Sequence, residues 1–252
     1  MGEIVAVVNQ KGGVGKTTSA VNLTAALHAR GVSVLLCDFD PQANASSGLG
    51  VSRRAKRSSY DVIINGVPAE EAVVHTEWGD VIPSTAALAG ASIELTGMAD
   101  REFVLRGALA PLRDRYDYIL IDCPPSLELL TLNGLCAADR ILIPVQCEYY
   151  ALEGLSDLMA TMRAVKRRLN PNLAIFGVLL TMYDGRTNFS NQVAQEVRRF
   201  FPGKVFATAI PRSVRLAEAP SYGQPILAYD RRSRGSEAYL SVADEILRRE
   251  HS

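Results

Sequence analysis

Residues 11–18, Lys-Gly-Gly-Val-Gly-Lys-Thr-Thr, have the residue types and the spacing of a phosphate-binding loop. Glycine lets backbone N–H groups converge on phosphate oxygens, because it has no Cβ to obstruct the approach. We expect Lys16 to neutralise the β- and γ-phosphates of a bound nucleoside triphosphate, and the Thr17 hydroxyl to coordinate Mg²⁺. The other residues expected to contact the nucleotide from this loop are Gly12, Gly13, Val14, Gly15 and Thr18.

Lys11 occupies the position at which a plain phosphate-binding loop has its first glycine. On an ordinary exposed loop a lysine is most often a solvated charge, but the position inside this octapeptide favours a role in the site. The segment resembles the deviant phosphate loop of the ParA/MinD class of ATPases. The resemblance implies that Lys11 contacts nucleotide across a dimer interface.

Three aspartates follow apolar runs at positions where a nucleotide-hydrolysing site requires carboxylates. Asp122 ends the run at 118–121, and a carboxylate there can hold Mg²⁺ through its water shell. Asp38 and Asp40 leave another apolar run and face the same side of an extended chain. One of the two could bind the hydration shell of the metal while the other orients the attacking water; the alternative is a helix-capping or solvated pair.

Apolar and amphipathic runs alternate along the chain, and these elements must position the site. Runs of strand type occupy 4–8, 32–37, 118–122, 140–145, 175–181 and 205–210. Runs of helix type occupy 19–30, 102–113, 127–138, 152–169, 189–200 and 235–249. The alternation predicts an α/β fold of the P-loop NTPase type, a doubly wound and mostly parallel sheet with helices on both faces. Segment 45–100 is less regular and is expected to contain helical turns and short edge elements within a single domain, 1–252.

Composition limits the function classes without choosing one. With 252 residues, 48% of them hydrophobic, the chain can form one domain with a sizeable core. The formal net charge is zero, so any nucleic-acid binding requires a local basic patch or dimerisation. We find no basic-then-apolar leader and no run near the ~20 apolar residues of a membrane span. The four cysteines form no CxxC pair, which predicts a reduced, cytoplasmic protein.

Three segments, 10–18, 38–44 and 120–126, together resemble the nucleotide motifs of the ParA/Soj chromosome-partitioning ATPases. The similarity continues through 144–154, 180–188 and 210–220, and it therefore covers nearly the whole chain. It implies an ATP-sandwiched homodimer that binds double-stranded DNA without sequence preference. It also implies that a ParB/Spo0J-type partner stimulates ATP hydrolysis, and that the protein associates with the nucleoid.

The resemblance assigns roles to individual nucleotide-site residues. Lys11 matches the signature lysine, Lys16 the lysine of the phosphate loop, and Asp40 the residue needed for hydrolysis; these three form the predicted catalytic set. Thr17 matches the Mg²⁺ ligand and Asp122 the aspartate of the second motif, and Asp38 is expected to reach the metal through water. Gly12 falls where the family requires close backbone approach between protomers.

The resemblance also implies a base site and a DNA-binding surface. Pro211 and Ser213 would lie against adenine, although Ser213 departs from the asparagine expected there. Arg186 and Arg215 match the family positions that carry the DNA-binding arginines. Other basic residues after position 180 are Arg198, Arg199, Lys204, Arg212, Arg231, Arg232 and Arg234.

Several other functions share parts of this pattern. A ParA-like ATPase that positions another cargo would have the same nucleotide cycle. A MinD-like membrane-cycling ATPase should end in a basic amphipathic helix with bulky apolar residues, whereas the tail 243–252 offers only Ile246 and Leu247. An iron–sulfur reductase would need bridging cysteines, for which Cys123 and Cys136 are the candidates. A small-molecule ligase would need a substrate pocket that the sequence does not reveal.

Overall fold

The computed structural model describes residues 2–148 and 151–250. Its strands are β1 (Glu3–Val7), β2 (Val34–Asp38), β3 (Val74–Thr76), β4 (Gly79–Ile82), β5 (Tyr118–Asp122), β6 (Arg140–Gln146) and β7 (Ala174–Thr181). They form one sheet in the order β3-β4-β2-β5-β1-β6-β7. Neighbouring strands are parallel except β3 and β4, which pair antiparallel at one edge. The predicted mostly parallel sheet is confirmed.

Helices connect these strands and cover both faces of the sheet. They are α1 (Lys16–His28), α2 (Asn44–Gly48), α3 (Ser59–Ile63), α4 (Leu88–Thr96), α5 (Val104–Leu109), α6 (Leu129–Ala137), α7 (Ala151–Arg168), α8 (Asn188–Phe200), α9 (Val214–Glu218), α10 (Ile226–Tyr229) and α11 (Arg234–Glu250). Short 3₁₀ turns lie at Ala69–Ala72, Ala110–Leu112 and Ala219–Tyr222.

The side chains of β1 point alternately to the two faces of the sheet and are buried on both, which explains why the strand sequences are continuously apolar. Ile4 and Ala6 belong to a buried cluster that includes residues of α4 to α8. Val5 and Val7 point the other way, into a second cluster with residues of α1, α10 and α11. Both faces of the sheet are therefore buried, as a doubly wound fold requires.

The predicted strand at 205–210 is wrong. Val205 makes only an isolated bridge to Val178 of β7, and pairing is interrupted before Ile210, whose N–H donates to Leu180. Between these points the backbone N–H groups of 207 and 208 turn toward the Glu245 carboxylate of α11, at 3.0 and 3.4 Å. A carboxylate from a distant helix thus replaces strand pairing in a segment whose apolar pattern suits a strand.

The irregular segment 45–100 contains short elements, as expected, but one of them lies inside the sheet. Strand β4 runs between β2 and the edge strand β3 and pairs parallel to β2 from Asp80 to Ile82. With only four residues, β4 is too short to give a distinct periodic signal in the sequence.

Candidate nucleotide site and basic surface

Three adjacent strands, β1, β2 and β5, end at the same level and place the predicted site residues together. Asp122 pairs in register with Val7 on one side and with Asp38 on the other. The chain that leaves β1 forms the loop of residues 9–15 and then enters α1. Because the carboxyl ends of parallel strands share one edge of the sheet, the loop and both aspartates lie in one polar centre.

The phosphate loop has the backbone that its glycines predict. Gly13 and Gly15 have φ angles of +75° and +89°, a region that disfavours residues with a Cβ. The loop delivers the chain into α1 at Lys16, so the positive end of the helix dipole faces the loop. The Val14 carbonyl accepts a hydrogen bond of 2.8 Å from the Thr181 hydroxyl at the end of β7. Thr181 was not predicted as a site residue, although it ends a predicted strand and lies in the segment 180–188, which resembles a family motif.

Lys16 is a buried cation at the centre of the loop. Its residue is 7% exposed, and its Nζ donates a hydrogen bond of 3.1 Å to the carbonyl oxygen of Lys11. Burial lowers the pKa of the Lys16 ammonium, and the nearby Asp122 and Asp40 carboxylates oppose that change. A buried ammonium with one carbonyl partner is well suited to accept phosphate oxygens.

Asp122 is buried, and neither of its carboxylate oxygens has a hydrogen-bond partner of normal geometry among the described residues. Burial raises the pKa of this carboxyl well above its ordinary value, and the charge of Asp38 raises it further. The Thr17 hydroxyl lies close enough to lower the same pKa. A buried and unsatisfied carboxylate beside a threonine hydroxyl fits a hydrated Mg²⁺, which would supply it with hydrogen-bond donors.

Asp38 and Asp40, predicted as a pair, have different surroundings. The Asp38 carboxylate accepts hydrogen bonds from the backbone N–H and the hydroxyl of Ser46, at 2.7 and 2.6 Å, and from the N–H of Asp40 at 3.2 Å. Burial raises the pKa of Asp38 to about 6, although the bonds to Ser46 favour the charged form. Asp40 accepts a bond of 2.9 Å from the N–H of Gln42. Asp38 therefore anchors α2, and its contact with the metal's water shell stays a prediction.

A cavity of about 200 Å³ adjoins the phosphate loop. Gly15 and Thr18 line it from the loop side, and Pro211 and Ser213 line it from the opposite side. The structure thus brings the two predicted adenine contacts to a space that opens onto the loop. Met182, which follows β7 with a φ of +50°, also lines this cavity.

The exposed tip of the loop carries Lys11, whose ammonium forms an ion pair with Glu148, just beyond β6. Asn9 fastens the base of this tip, because its side chain donates to the Pro144 carbonyl at 2.7 Å and accepts from the N–H of Lys11 at 3.0 Å. A Cβ placed on Gly12 would meet no other atom within 4 Å. Asn9 and Glu148 were not predicted as site residues; Glu148 lies in the segment 144–154, which resembles a family motif, and Asn9 directly precedes the segment 10–18.

Arg186 and Arg215 lie on one basic surface beside the base cavity. They line a concavity of about 640 Å³ together with Arg212 and Arg234. Arg186, with a side chain 90% exposed, is held by both oxygens of Asp184 at 2.8 and 2.9 Å. Arg215 lies 3.1 Å from Glu218 and 3.6 Å from Asp230. The two predicted arginines are thus close together and outside the base cavity, each beside acidic residues of its own chain.

Cys123 and Cys136 are buried, as are Cys37 and Cys147. Burial raises the pKa of the Cys136 thiol to about 11 and that of Cys123 well above its ordinary value. A cluster that bridges two subunits needs cysteines at the subunit surface, so the burial of Cys123 and Cys136 within the subunit does not favour such a site. Among the helices that the structure describes, none has the length and apolar character needed to cross a membrane.

Comparison with known proteins identifies relatives over nearly the full length. A family model described as "AAA domain" matches residues 2–175. "Sporulation initiation inhibitor protein Soj" of Bacillus subtilis (strain 168) is 55% identical over 249 residues, covering 98% of each chain. "Chromosome partitioning protein ParA" of Myxococcus xanthus (strain DK1622) is 51% identical over 253 residues, covering 99% of this chain and 89% of the relative.

Among solved structures, cobyrinic acid a,c-diamide synthase from Mycobacterium smegmatis, with bound ADP and magnesium, superposes with a TM-score of 0.88. It is 38% identical, and the alignment covers 100% of this chain and 96% of that one.

Proposed function

Because the chain belongs to the ParA/Soj family of P-loop ATPases, we propose that it couples ATP hydrolysis to the partitioning of chromosomal DNA. One observation carries the ATPase part of this proposal. Buried Lys16 and the unsatisfied Asp122 carboxylate lie at the same edge of the sheet, beside Thr17, and together they suit a triphosphate with its Mg²⁺.

In the ATP-bound subunit, residues 12–18 surround the phosphates and Lys16 neutralises their charge. Thr17 would hold Mg²⁺ directly, and Asp122 and Asp38 would hold it through water; a bound ion would supply neutralisation of the phosphate charge. Asp40 orients the attacking water, a role that acts in the transition state more than in binding. Pro211 and Ser213 lie against the adenine in the adjoining cavity.

ATP binding creates a homodimer in which Lys11 contacts the phosphates of the partner subunit. The environment of Gly12 supports this arrangement, since nothing within the subunit lies within 4 Å of a Cβ built there. A close approach by a second protomer supplies a reason for glycine that the isolated subunit lacks. Nucleotide occupancy and association are then coupled, because each site is complete only in the dimer.

The ATP dimer binds double-stranded DNA through the basic concavity. Arg186 and Arg215 contact phosphates, which carry no base information, so binding is independent of sequence. Two protomers present two such surfaces, and their contacts add on one DNA molecule even though the chain has zero net charge. A ParB/Spo0J-type protein stimulates hydrolysis and releases the dimer, which otherwise stays associated with the nucleoid.

The other candidate functions fit the structure less well. A membrane-cycling ATPase needs a free apolar helix face, but the apolar residues Tyr239, Val242 and Ile246 of α11 are buried in the cluster that includes α1. The diamide synthase is less similar to the chain than the two partitioning relatives, at 38% identity against 55% and 51%. A ParA-like ATPase that positions another cargo would share the nucleotide site and differ at the cargo surface.

DNA retention measured with ATP, with ADP and without nucleotide tests the proposal. We expect retention with ATP only, with little difference between unrelated DNA sequences and a steep loss as salt is raised. Equal retention in all three nucleotide states would contradict an ATP-driven switch. Binding to anionic lipid vesicles instead of DNA would support the membrane alternative, and binding to neither would leave an ATPase with another cargo.

A further inference from the structure

We propose that Glu148 is a positioning residue for Lys11, holding its ammonium within the subunit until the phosphates of a partner subunit displace it. The proposal rests on the proposed role of Lys11 in the ATP dimer. In the isolated subunit the Glu148 carboxylate takes the place of those phosphates, since carboxylate and phosphate both offer anionic oxygens to the Lys11 ammonium.

Glu148 lies at a defined position beside the phosphate loop. The N–H of Cys147 donates to the Thr181 carbonyl at 3.2 Å, and the N–H of Glu148 donates to the Gln146 carbonyl at 2.9 Å. The carboxylate therefore follows β6 directly, next to the strand whose last residue, Thr181, also fixes the loop through Val14. The position of Glu148, the acceptor of the ion pair, is thus fixed by backbone hydrogen bonds at the end of the sheet.

On the Lys11 side of the pair, the backbone is anchored by hydrogen bonds, whereas the residues that follow it are exposed. Asn9 ties the backbone at Lys11 to the end of β6 through Pro144, and Lys16 donates to the Lys11 carbonyl. Beyond Lys11, however, Gly12 and Gly13 are exposed, and a Cβ at either would meet nothing within 4 Å. The lysine side chain can therefore change partners while the base of the loop stays in place.

The exposure of the pair suits a reversible contact. The side chains of Lys11 and Glu148 are 37% and 36% exposed, so water screens their attraction. Partly exposed ion pairs of this kind shift an equilibrium by roughly 1.4- to 5-fold. A dimer releases two such pairs, so their removal should lower the dimer dissociation constant by about 2- to 25-fold. A partner's triphosphate, with more charge, can overcome this contact.

The first test uses the nucleotide-free protein and measures acylation of the Lys11 amine by mass spectrometry, relative to exposed Lys56. We expect Glu148→Gln to raise Lys11 labelling by roughly 1.4- to 5-fold, because the amine is no longer held in an ion pair with a carboxylate. Glu148→Asp should restore part of the protection. Glu71→Gln, which removes the same charge from an exposed pair with Arg57, is the matched control and should change nothing at Lys11. Unchanged labelling in Glu148→Gln would overturn the proposal.

The second test measures dimerisation by sedimentation with a non-hydrolysable ATP analogue. Glu148→Gln should strengthen the dimer by the 2- to 25-fold given above, and the same change in a Lys11→Ala background should have no effect. A weaker dimer would show that Glu148 acts across the interface instead, and an equal effect in both backgrounds would show that it acts without Lys11; either overturns the proposal. If the wild-type protein stays monomeric with ATP, the proposed dimer fails, and the labelling result still decides whether Glu148 holds Lys11.

Discussion

The nucleotide centre and the basic concavity both contain several charged residues, but these residues differ in burial and in whether the protein itself supplies their partners. At the nucleotide centre Lys16 and Asp122 are buried, and the Asp122 carboxylate has no hydrogen-bond partner of normal geometry in the described chain. In the concavity Arg186 is 90% exposed and is already paired with Asp184. The first region is completed by its ligand, whereas in the second a ligand must compete with the protein's own carboxylates.

This difference sets the size of the expected effects. A buried charge without a partner is costly, so a ligand that satisfies it contributes strongly to binding. An exposed ion pair contributes at most about 1 kcal/mol and is screened by salt. Single changes at the nucleotide centre should therefore act as near-complete losses, while single changes in the concavity should give graded, salt-dependent effects.

The largest effect is expected for Lys16→Ala. Removing one partner of a buried charge pair costs roughly 3–5 kcal/mol, so ATP affinity should fall by about 100-fold or more. Titration with a fluorescent ATP analogue measures this loss, with Lys56→Ala as the control at an exposed lysine. An unchanged dissociation constant would show that Lys16 does not bind the phosphates. It would also contradict the expectation that changes at the nucleotide centre have larger effects than changes in the concavity.

Asp40→Ala should separate hydrolysis from binding within the buried region. Turnover in the presence of the partner protein should fall by roughly 10²- to 10⁴-fold, because water positioning acts in the transition state. ATP affinity should stay within a few-fold, since Lys16, Thr17 and Asp122 are untouched. Phosphate release provides the measurement, and Asp114→Ala, at an exposed aspartate, is the control. Turnover at the wild-type rate would move the catalytic role elsewhere, first to Asp38.

In the concavity, Arg186→Glu and Arg215→Glu should each weaken DNA binding by on the order of 10- to 100-fold. Each change removes a phosphate contact and adds a repulsive charge in both protomers. Mobility-shift titrations at matched salt measure the effect, with ATP-dependent dimerisation confirmed by sedimentation. Arg199→Glu makes the same charge change at a side chain 75% exposed and serves as the control. If both variants bind like the wild type, the cargo surface is not this one.

The smallest of these effects is expected for Asp184→Asn, and it is a gain of DNA affinity. This change removes the charge that competes for Arg186 but keeps an oxygen that can accept from the Arg186 N–H, now at 3.1 Å. DNA affinity should rise by up to about fivefold at low salt, and the gain should shrink as salt screens the pair. The same mobility-shift titration measures it. A loss of affinity would show that Asp184 orients Arg186 for DNA and does not restrain it.

The buried region was also the more predictable one from sequence. Asp38 and Asp122 follow apolar runs, and the carboxyl ends of parallel strands must share an edge, so their proximity follows from pattern alone. The residue types and spacing of 11–18 identified the phosphate loop, and the helical run predicted at 19–30 corresponds to α1, which begins three residues earlier at Lys16. Five of the six predicted strands are present, because their two buried faces give continuous apolar runs.

What the sequence did not reveal depends on contacts between distant residues. The interrupted segment at 205–210 depends on Glu245, and the partner of Lys11 lies beyond β6 at Glu148. Nothing in the local pattern predicts which carboxylate reaches a given N–H or ammonium. The pairing of Arg186 with Asp184 is different, since the two are close in sequence; composition shows both charges, but only the structure shows the bidentate contact.

The hydrogen bond from the Thr181 hydroxyl to the Val14 carbonyl has a mechanical consequence. It fastens the middle of the phosphate loop to the sheet, and Asn9 fastens its beginning to the end of β6. The loop is therefore held at Asn9 and at Val14, and only the exposed glycine tip between these two residues can change conformation readily. We expect the base cavity and Lys16 to stay stationary through the nucleotide cycle, so that any nucleotide-dependent displacement is confined to the few atoms around Lys11 and Gly12.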